Sequence, residues 1–447
     1  MLHGPILGSI ISYTIPIILT SILQLLFNAA DLVIVGRFRG SLSVAAVSST
    51  SSLIMLIINL FIGLSVGAGV SVAHAMGGRE DKAVHQTIHT AIPLALVGGT
   101  IVTLIGLFFS EYFLNLMGTP ITVLPLSALY MKIYFSGMIF TMIYNFCASI
   151  LRAVGDTKSP LIFLAISGLV NVGFNVLFVT AFHMNVEGVA LATVISQVIS
   201  AILVVTALMR RTDAAKLYLK KIRFYKTPLF KMLRIGLPAG LQGSLFSVSN
   251  VTIQSSINSF GDVLMSGSGA AASIEGFVYV TLSAFQQTAV NFIGQNAGAQ
   301  QYKRIKKIFC QCLACSAVIT IIFGGGVNLF GKELLSIYIS DSAQAIQYGI
   351  TRLGYIALLY FICALMEVTT GALRGLGASV TPMLISVMGI CGLRVLWVNT
   401  IFRIPAYHTP ESLYISYPIS WTITFAAQLI CFIYIYKKRI RTVNLAN

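Results

Sequence analysis

Charged residues are scarce in this chain. Asp, Glu, Lys and Arg make up 9% of its 447 residues, while 57% of the residues are hydrophobic. A soluble protein of this length needs a charged surface to stay dispersed, and this composition cannot supply one. The scarcity excludes an ordinary soluble domain and indicates that lipid is the solvent for most of the chain.

Short alternating strands are missing as well. The apolar runs extend over roughly 20 residues or more, whereas the strands of a membrane barrel alternate over about ten. Only helices and closed barrels satisfy their backbone groups in lipid. The predicted fold class is therefore an all-α integral membrane protein.

Motifs for soluble chemistry are also absent. The sequence has no phosphate-binding P-loop, no Ser-His-Asp order and no HExxH helix, so we expect neither an enzyme nor a bound cofactor. Nearly all of the seven cysteines fall in apolar runs, which argues against a disulfide framework. The net charge of +16 is spread over short loops between apolar runs, so nucleic acid is not an expected partner.

What the sequence does contain is a series of apolar segments long enough to cross a bilayer. We count twelve, which is an even number and places both termini on one side. The predicted spans are 11–36, 43–76, 88–109, 128–151, 160–180, 187–209, 234–259, 264–297, 309–330, 349–373, 381–402 and 413–436.

Lys and Arg are distributed unevenly among the loops. If both termini are cytoplasmic, 22 of the 29 basic residues lie in cytoplasmic segments and four lie in outer loops. Positive residues accumulate on the cytoplasmic side of membrane proteins. We therefore predict a multi-pass protein of the plasma (inner) membrane with both termini inside.

The chain repeats itself once. LRAVGDTKSP at 151–160 returns as LRGLGASVTP at 373–382, and Pro16 returns as Pro238, both after 222 residues. Six spans per repeat give both halves the same orientation, so a pseudo-two-fold axis along the membrane normal should relate them. The predicted parts are an N-terminal six-helix lobe, a basic cytoplasmic linker and a C-terminal six-helix lobe, at 1–209, 210–233 and 234–447.

Few ionisable residues lie inside the predicted spans. Asp31 shares a helical stripe of the first span with Gln24 and Asn28. A charge at the bilayer centre costs about 2.5–3.5 kcal/mol on insertion scales, so we favour a functional role for Asp31. Gln24 and Asn28 are secondary candidates that either take part or only join helices by hydrogen bonds.

Three further polar residues lie at the predicted depth of Asp31. Asn171 and Asn175 are four residues apart in the fifth span, and Thr193 lies in the sixth. A carboxylate with amide and hydroxyl oxygens suits a small hard cation such as Na⁺, or a carboxyl that titrates. The alternative is that the amides and the hydroxyl only hold helices together.

The second half has its own intramembrane charges. Glu275 and Glu367 lie in the eighth and tenth spans, and Arg394 lies near the middle of the eleventh. We expect Arg394 to neutralise one of these acids, either as a structural ion pair or as a pair that exchanges partners during transport. Asn145, which aligns with Glu367 in the repeat, and Gln287 are further secondary candidates for cation or substrate binding.

Several segments carry a resemblance to a known family. The chain resembles the multidrug and toxic compound extrusion (MATE) family, its bacterial members especially, over essentially its whole length. The repeated LRAVGDTKSP motif and the QNAGA stretch are the more specific features. The resembling segments are IPIILTSILQLLFNAADLVIVGRFRG at 15–40, GLSVGAGVSVAHAMGG at 63–78, LRAVGDTKSP at 151–160, VNVGFNVLFV at 170–179, EGVALATVISQ at 187–197 and FIGQNAGAQ at 292–300.

The resemblance implies twelve helices in two lobes, a central substrate cavity, and antiport of organic compounds against Na⁺ or H⁺. It also implies a cation site in the N-terminal lobe at Asp31, Asn171, Asn175 and Thr193. Position 175 departs from the family pattern, because the sequence has an amide there instead of an acid. One carboxylate is then left in that site.

The main hypothesis is a monomeric secondary active exporter of amphipathic, often cationic, small organic molecules in the lipid bilayer. One alternative is a lipid-linked saccharide flippase of the same superfamily. Its anionic substrate would favour several basic residues in the cavity and two further spans, whereas Arg394 is the one base near mid-span. The other alternative is a non-transporting receptor or a channel. The two-lobed repeat speaks against a channel, which needs rings of like groups.

The predicted topology can be tested by labelling single cysteines in intact cells. A cysteine at Ser110 or His183 should react with an impermeant maleimide from outside, because both positions fall in outer loops. A cysteine at Lys220 should react only after permeabilisation. The reverse pattern would contradict the orientation.

Overall fold

Helices form the regular structure of the chain. The computed structural model describes residues 1–339 and 342–446, with the backbone alone for 442–446, and has no strand within them. Helices close their own hydrogen bonds, which is what lipid demands of a spanning segment. The predicted all-α membrane fold is confirmed.

The first half contains seven α-helices. A π-helical turn, Leu177–Ala181, continues the sixth and completes that span. The helices are α1 (Ile6–Arg39), α2 (Ser41–Gly77), α3 (Asp81–Leu116), α4 (Leu124–Ser136), α5 (Met138–Ala153), α6 (Lys158–Val176) and α7 (Val186–Met209).

The second half repeats this order with extra breaks. A second π-helical turn, Val387–Gly392, joins two short helices into one span. The helices are α8 (Lys226–Asn258), α9 (Asp262–Gly298), α10 (Tyr302–Leu329), α11 (Gly331–Tyr338), α12 (Ala343–Ile356), α13 (Tyr360–Gly375), α14 (Val380–Ser386), α15 (Leu393–Asn399) and α16 (Pro410–Ala446).

Eleven spans are apolar enough to cross a bilayer, and a twelfth predicted span is not. Nine single segments of the described chain qualify, and two bent helix pairs raise the count to eleven. The remaining span, 234–259, lies in α8, which is 33 residues long and has ample length. Ser, Asn, Gln and Thr are frequent along α8, and they lower its hydropathy. It therefore differs from the other spans in polarity, not in length.

The two bent spans occupy equivalent places in the repeat. α4 and α5 meet at 49° around Gly137, and α12 and α13 meet at 47° across residues 357–359. These breaks are separated by about the same offset as the sequence repeat. Each half thus has one span whose outer and inner parts point in different directions.

The described chain packs as two compact units. The N-unit comprises Leu19–Ser244, and the C-unit comprises Met1–Ile18 with the chain from Leu245 onward. The unit boundaries fall inside α1 and α8. The lobe boundaries predicted from the sequence divide the chain in the basic linker, and they stay a prediction.

Paired small residues bring α2 and the start of α8 together within the N-unit. Gly63 and Gly67 on α2 face Gly236 and Gly240 on α8, each pair four residues apart. A Cβ atom at Gly63 would lie 2.1 Å from the backbone nitrogen of Gly240. Membrane helices use this small-xxx-small spacing to approach backbone to backbone, where packing replaces the hydrophobic effect.

The basic linker after α7 is fastened to the start of α3. The backbone N–H of Tyr218 donates to Nε2 of His89 at 3.0 Å, and that of Tyr225 donates to Oγ1 of Thr90 at 3.1 Å. Within the linker, the hydrogen bonds from Arg211 hold the pKa of Asp213 below its usual value. The linker is therefore an ordered part of the N-unit.

The labelling positions chosen from the sequence differ in exposure. Ser110 is buried within α3, where its hydroxyl donates to the carbonyl of Gly106. His183 is exposed between α6 and α7. Because a buried thiol reacts poorly whichever side it faces, His183 is the better of the two positions for testing the predicted orientation.

In the C-unit, α9 and α12 cross at small residues. A Cβ atom at Gly267 would lie 2.1 Å from the carbonyl oxygen of Ala345, whereas one at Gly269 would meet nothing within 4 Å. We therefore expect Gly267→Leu to lower the free energy of unfolding by about 1–3 kcal/mol, because the backbones would be forced apart. Thermal unfolding in detergent would measure the loss.

Gly269→Leu is the matched control, since it adds the same side chain two residues away on the same helix. The exposed Gly269 should tolerate it, with unfolding close to that of the unmodified protein. Equal destabilisation by both substitutions would contradict the close crossing.

Candidate functional site

The four residues predicted as a cation site meet in the N-unit. Nδ2 of Asn175 donates to Oδ1 of Asp31 at 2.5 Å and to Oδ1 of Asn171 at 3.1 Å. Nδ2 of Asn171 donates to Oγ1 of Thr193 at 3.3 Å. The side chains come from α1, α6 and α7, and the two asparagines and Asp31 are buried. The structure thus places a carboxylate among amide and hydroxyl groups.

Asp31 has no basic partner among the described residues. Its hydrogen bond comes from a neutral amide, and the three ion pairs of the described chain involve other acids. An ionised carboxylate out of water is costly unless it is paired, protonated or bound to a cation. The site therefore contains a negative charge whose compensation must come from a proton or an ion.

One oxygen in this group lacks a donor. Asn175 is fully buried, and its Oδ1 has no hydrogen-bond partner within the described chain, while its Nδ2 makes two bonds. A buried carbonyl oxygen without a donor costs about 1–3 kcal/mol. Oδ1 of Asn175 is therefore an available ligand, because an amide oxygen can coordinate a cation.

Local backbone features place these side chains. The ring of Phe27 on α1 covers Gly168 of α6, where any Cβ would overlap it, so the two helices approach closely. The π-helical turn begins two residues after Asn175. The guanidinium of Arg39 donates to the carbonyls of Val179, within this turn, and Met184, just after it, at 2.6 and 2.8 Å. Such turns concentrate at functional sites.

Two tyrosines near Asp31 were missed by the sequence reasoning. Tyr130 and Tyr134 of α4 stack with their ring centroids 5.9 Å apart, and both lie within electrostatic range of Asp31. Their spacing of four residues, inside a predicted span, was the available signal. They add phenol hydroxyls to the surroundings of the carboxylate.

The secondary candidates of the first half lie apart from this group. Gln24 and Asn28 are exposed, although they share the helical stripe of Asp31. The amide of Asn145 donates to the carbonyl of Thr141 in its own helix at 2.9 Å. Gln24, Asn28 and Asp31 share one side of α1 by their spacing, but only Asp31, at the end of the stripe, is buried.

Glu275 forms a buried ion pair in the C-unit. Nε and Nη2 of Arg352 donate to the two carboxylate oxygens of Glu275, both at 2.9 Å. Nη1 of Arg352 donates to the hydroxyl of Ser268 at 2.8 Å. Both side chains are about 95% buried, and this bidentate geometry is the strongest arrangement that two such groups can make. Arg352 on α12 is thus the partner of the acid on α9.

The predicted pairing of Arg394 with Glu275 or Glu367 is wrong. Glu275 is taken by Arg352, and Arg394 instead bonds the neutral side chains of Ser420 and Asn250. The sequence places all of these charges in spans, but it does not give the rotation of each helix. Arg352 lies one turn away from the bend between α12 and α13 and reaches α9 directly.

Glu367 has a neutral hydrogen-bond donor. It is buried on α13, and Nε2 of Gln286 on α9 donates to it, with Arg374 as its electrostatic neighbour. Gln287, the residue predicted from the sequence, is half-buried beside it and accepts at its backbone carbonyl from Asn291. Gln287 was predicted only as a secondary candidate for cation or substrate binding, and its side chain points about 100° around the helix from that of Gln286.

Comparison with known proteins agrees with this architecture. The MatE family model matches residues 16–177 and again residues 238–398. The chain belongs to the MatE family. The two matches begin at the offset of the internal repeat, which confirms the repeat found in the sequence.

Several curated bacterial proteins are similar to this MatE chain. It is 28% identical over 393 residues to the probable multidrug resistance protein YpnP of Bacillus subtilis, covering 88% of this chain and 87% of that protein. It is 23% identical to the probable multidrug resistance protein NorM of Thermotoga maritima, covering 86% and 83%. It is 22% identical to the multidrug export protein MepA of Staphylococcus aureus, covering 88% and 90%.

Solved structures share the fold. A multidrug resistance MATE family transporter in an outward-facing conformation superposes with a TM-score of 0.90 at 19% identity, covering 98% of both chains. A transporter of the MOP superfamily from Pyrococcus furiosus superposes with a TM-score of 0.91, covering 98% of this chain and 97% of that one. The MatE chain is a membrane transporter of the multidrug-efflux type, not an enzyme.

The buried pair of Glu275 and Arg352 should be critical for stability. Glu275→Gln leaves the guanidinium without its counter-charge, and we expect a loss of about 3–5 kcal/mol in the free energy of unfolding. Glu275→Leu combined with Arg352→Met should recover most of that loss, because no buried charge remains. Unfolding in mixed micelles would measure each variant. A double variant less stable than Glu275→Gln would show that an unpaired buried charge is not the cause of the loss.

Proposed function

We propose that this chain exports amphipathic, often cationic organic compounds in exchange for Na⁺ or H⁺, and that the Asp31 group couples the two movements. The observation that carries the proposal is a buried carboxylate that no described base pairs, held by Asn175 beside Asn171 and Thr193. A group of this kind needs a mobile positive charge. The Asp31 group can be occupied by that charge in one state of a transporter and empty in another, as coupling requires.

The donor set is compatible with either ion. Carboxylate, amide and hydroxyl oxygens are the ligands that hard cations prefer, and Oδ1 of Asn175 is an oxygen without a donor. A proton on Asp31 would serve as well, because it removes the buried charge. Since position 175 is an amide, the site holds a single carboxylate and supports one monovalent charge.

The direction of energy flow follows from charge and membrane potential. A monovalent cation that moves inward across about 100 mV releases about 2.3 kcal/mol, in addition to its concentration gradient. That energy can be used for export only if ion and cargo bind in exclusive states. The two states would be exclusive if the ion neutralised Asp31 in one of them and cargo was bound in the other.

The cargo class rests on the family and on composition. Curated relatives are named multidrug resistance or multidrug export proteins. Phe, Tyr and Met are frequent in this chain, and aromatic faces suit apolar bodies that carry a positive charge. We propose the cell membrane as the location, with both termini and the basic linker in the cytoplasm, and a monomer as the working unit. The distribution of Lys and Arg supports the orientation.

Transport in proteoliposomes would test coupling. A gradient of Na⁺ or of H⁺ directed out of the vesicles, applied separately, should drive uptake of ethidium into the vesicles by the unmodified protein. Asp31→Asn should reduce gradient-driven flux at least about tenfold, because an amide neither titrates nor carries the negative charge that a cation would compensate. Ethidium binding in the absence of a gradient should stay within about twofold, a range worth less than half a kcal/mol.

Glu111→Gln is the matched control. It removes a carboxylate from the same unit, but Glu111 is exposed and only loosely paired with Lys132, at 3.8 Å. Its transport should equal that of the unmodified protein. Wild-type flux in Asp31→Asn under both gradients would show that coupling does not pass through this site.

A further inference from the structure

Arg394 is a buried base with no acid beside it among the described residues. It lies on α15 in the C-unit with 4% of its surface exposed. The three ion pairs of the described chain leave it out, and its electrostatic neighbours are Tyr417, Cys363, Cys391 and Tyr360. Removing an uncompensated guanidinium from water is unfavourable, so its retention within a membrane span calls for an explanation.

The hydrogen bonds of Arg394 are few and long. Nε donates to the hydroxyl of Ser420 and Nη1 to the amide oxygen of Asn250, both at 3.3 Å. Arg352 in the same unit provides a comparison, with three donors used at 2.8–2.9 Å. A guanidinium has five N–H donors, so Nη2 of Arg394 and its neighbouring N–H groups have no described acceptor. The group is positively charged and only partly satisfied.

The surroundings hold the guanidinium in a fixed orientation. Its central carbon lies 3.9 Å from the ring centroid of Tyr417, a stacking distance that positions the planar group. The π-helical turn Val387–Gly392 ends two residues before Arg394 and changes the direction of the side chains that follow. One face of the guanidinium is thus covered by Tyr417, while hydrogen bonds to Ser420 and Asn250 use only part of the N–H edge.

The hydrogen-bond partner Asn250 connects this edge to the surface of the unit. Asn250, which accepts from Arg394, is exposed, although Arg394 itself is buried. Ser247, Asn250 and Gln254 follow each other on α8 at spacings of three and four, so they form one polar stripe. A stripe of this kind is unfavourable against lipid tails, and it is part of why α8 is the least apolar of the predicted spans.

From these observations we propose that Arg394, together with Asn250 and Ser420, forms an anion-binding site in the C-unit for a carboxylate or phosphate group. The planar N–H edge of an arginine matches the two oxygens of such a group, and an anion would supply the missing counter-charge. Asn250 at the rim can add an amide donor. Ser420 contributes by position, because its hydroxyl donates to the carbonyl of Tyr417 and accepts from Nε of Arg394. The anion can belong to the exported compound, which rests on the proposed function, or to a lipid headgroup.

Two dyes that differ only in a carboxylate can test whether the site binds an anion. Rhodamine 110 has a free carboxylate, and rhodamine 123 is its methyl ester with the same ring system. Binding to the purified full-length protein in phosphatidylcholine nanodiscs is measured by fluorescence anisotropy, without any ion gradient. Failure of coupling at Asp31 would therefore leave this measurement unaffected, so the two proposals can fail separately.

Arg394→Gln should raise the Kd of rhodamine 110 about tenfold, the scale of one lost charge-assisted contact. Its effect on rhodamine 123 should stay below about twofold, because the ester has no anion to lose. Arg403→Gln is the matched control, since Arg403 is an exposed base of the same unit. It should leave both dyes unchanged.

A second variant covers the case in which Arg394→Gln does not fold. Asn250→Asp puts a carboxylate where Arg394 already donates, so the new acid should occupy the guanidinium and retain the packing of the site. We expect rhodamine 110 binding to fall about tenfold here as well, while the ester binds as before or more tightly.

The lipid source gives a different result. If a headgroup phosphate fills the site, the protein purified from membranes should retain phosphatidylglycerol that Arg394→Gln loses, as measured by mass spectrometry of extracted lipids. In that case the dye preference should disappear in nanodiscs that contain phosphatidylglycerol. If Arg394→Gln and Asn250→Asp bind both dyes and retain phosphatidylglycerol as the unmodified protein does, the anion site is refuted.

Discussion

Polar groups inside a bilayer have no water to bind, so each must find a partner in the protein or in a solute. This constraint makes every described span helical, and it makes each buried ionisable side chain informative. Glu275 satisfies the constraint within the protein, through two bonds from Arg352. Asp31 and Arg394 do not, since their partners are neutral amides and a hydroxyl. Glu275 is therefore a structural charge, whereas Asp31 and Arg394 can each still bind a charged ligand.

The two units have diverged in opposite directions from their common repeat. Within the part of the chain that the structure describes, the N-unit contains a buried acid that no base pairs, and the C-unit contains a buried base that no acid pairs. A mobile cation would compensate the first, and an anionic group would compensate the second. Equivalent bends at Gly137 and at 357–359 show that the backbones remained alike while the polar side chains changed. Function in this transporter is therefore a property of individual side chains on a duplicated scaffold.

Hydropathy, loop charge and the repeat were enough to predict the all-α membrane fold and the helix order. They were also enough to bring Asp31, Asn171, Asn175 and Thr193 together, because i, i+4 spacing and depth are encoded locally. What could not be predicted was the rotation of helices that pack over long sequence distances. Arg394 was expected to neutralise Glu275 or Glu367, whereas Arg352 pairs with Glu275 and Gln286 donates to Glu367. Such contacts depend on where small residues such as Gly267 allow two backbones to meet.

The polarity of α8 has a consequence for how the protein is made. A segment rich in Ser, Asn and Gln gains little free energy from partitioning into lipid by itself. The translocon should therefore insert α8 into the bilayer inefficiently. Gly236 and Gly240, near its start, fit against α2, a helix synthesised long before it. Stable insertion of α8 would then wait for helices already in the bilayer. The second half of the chain, synthesised without the first, would enter the membrane with its leading helix unsupported.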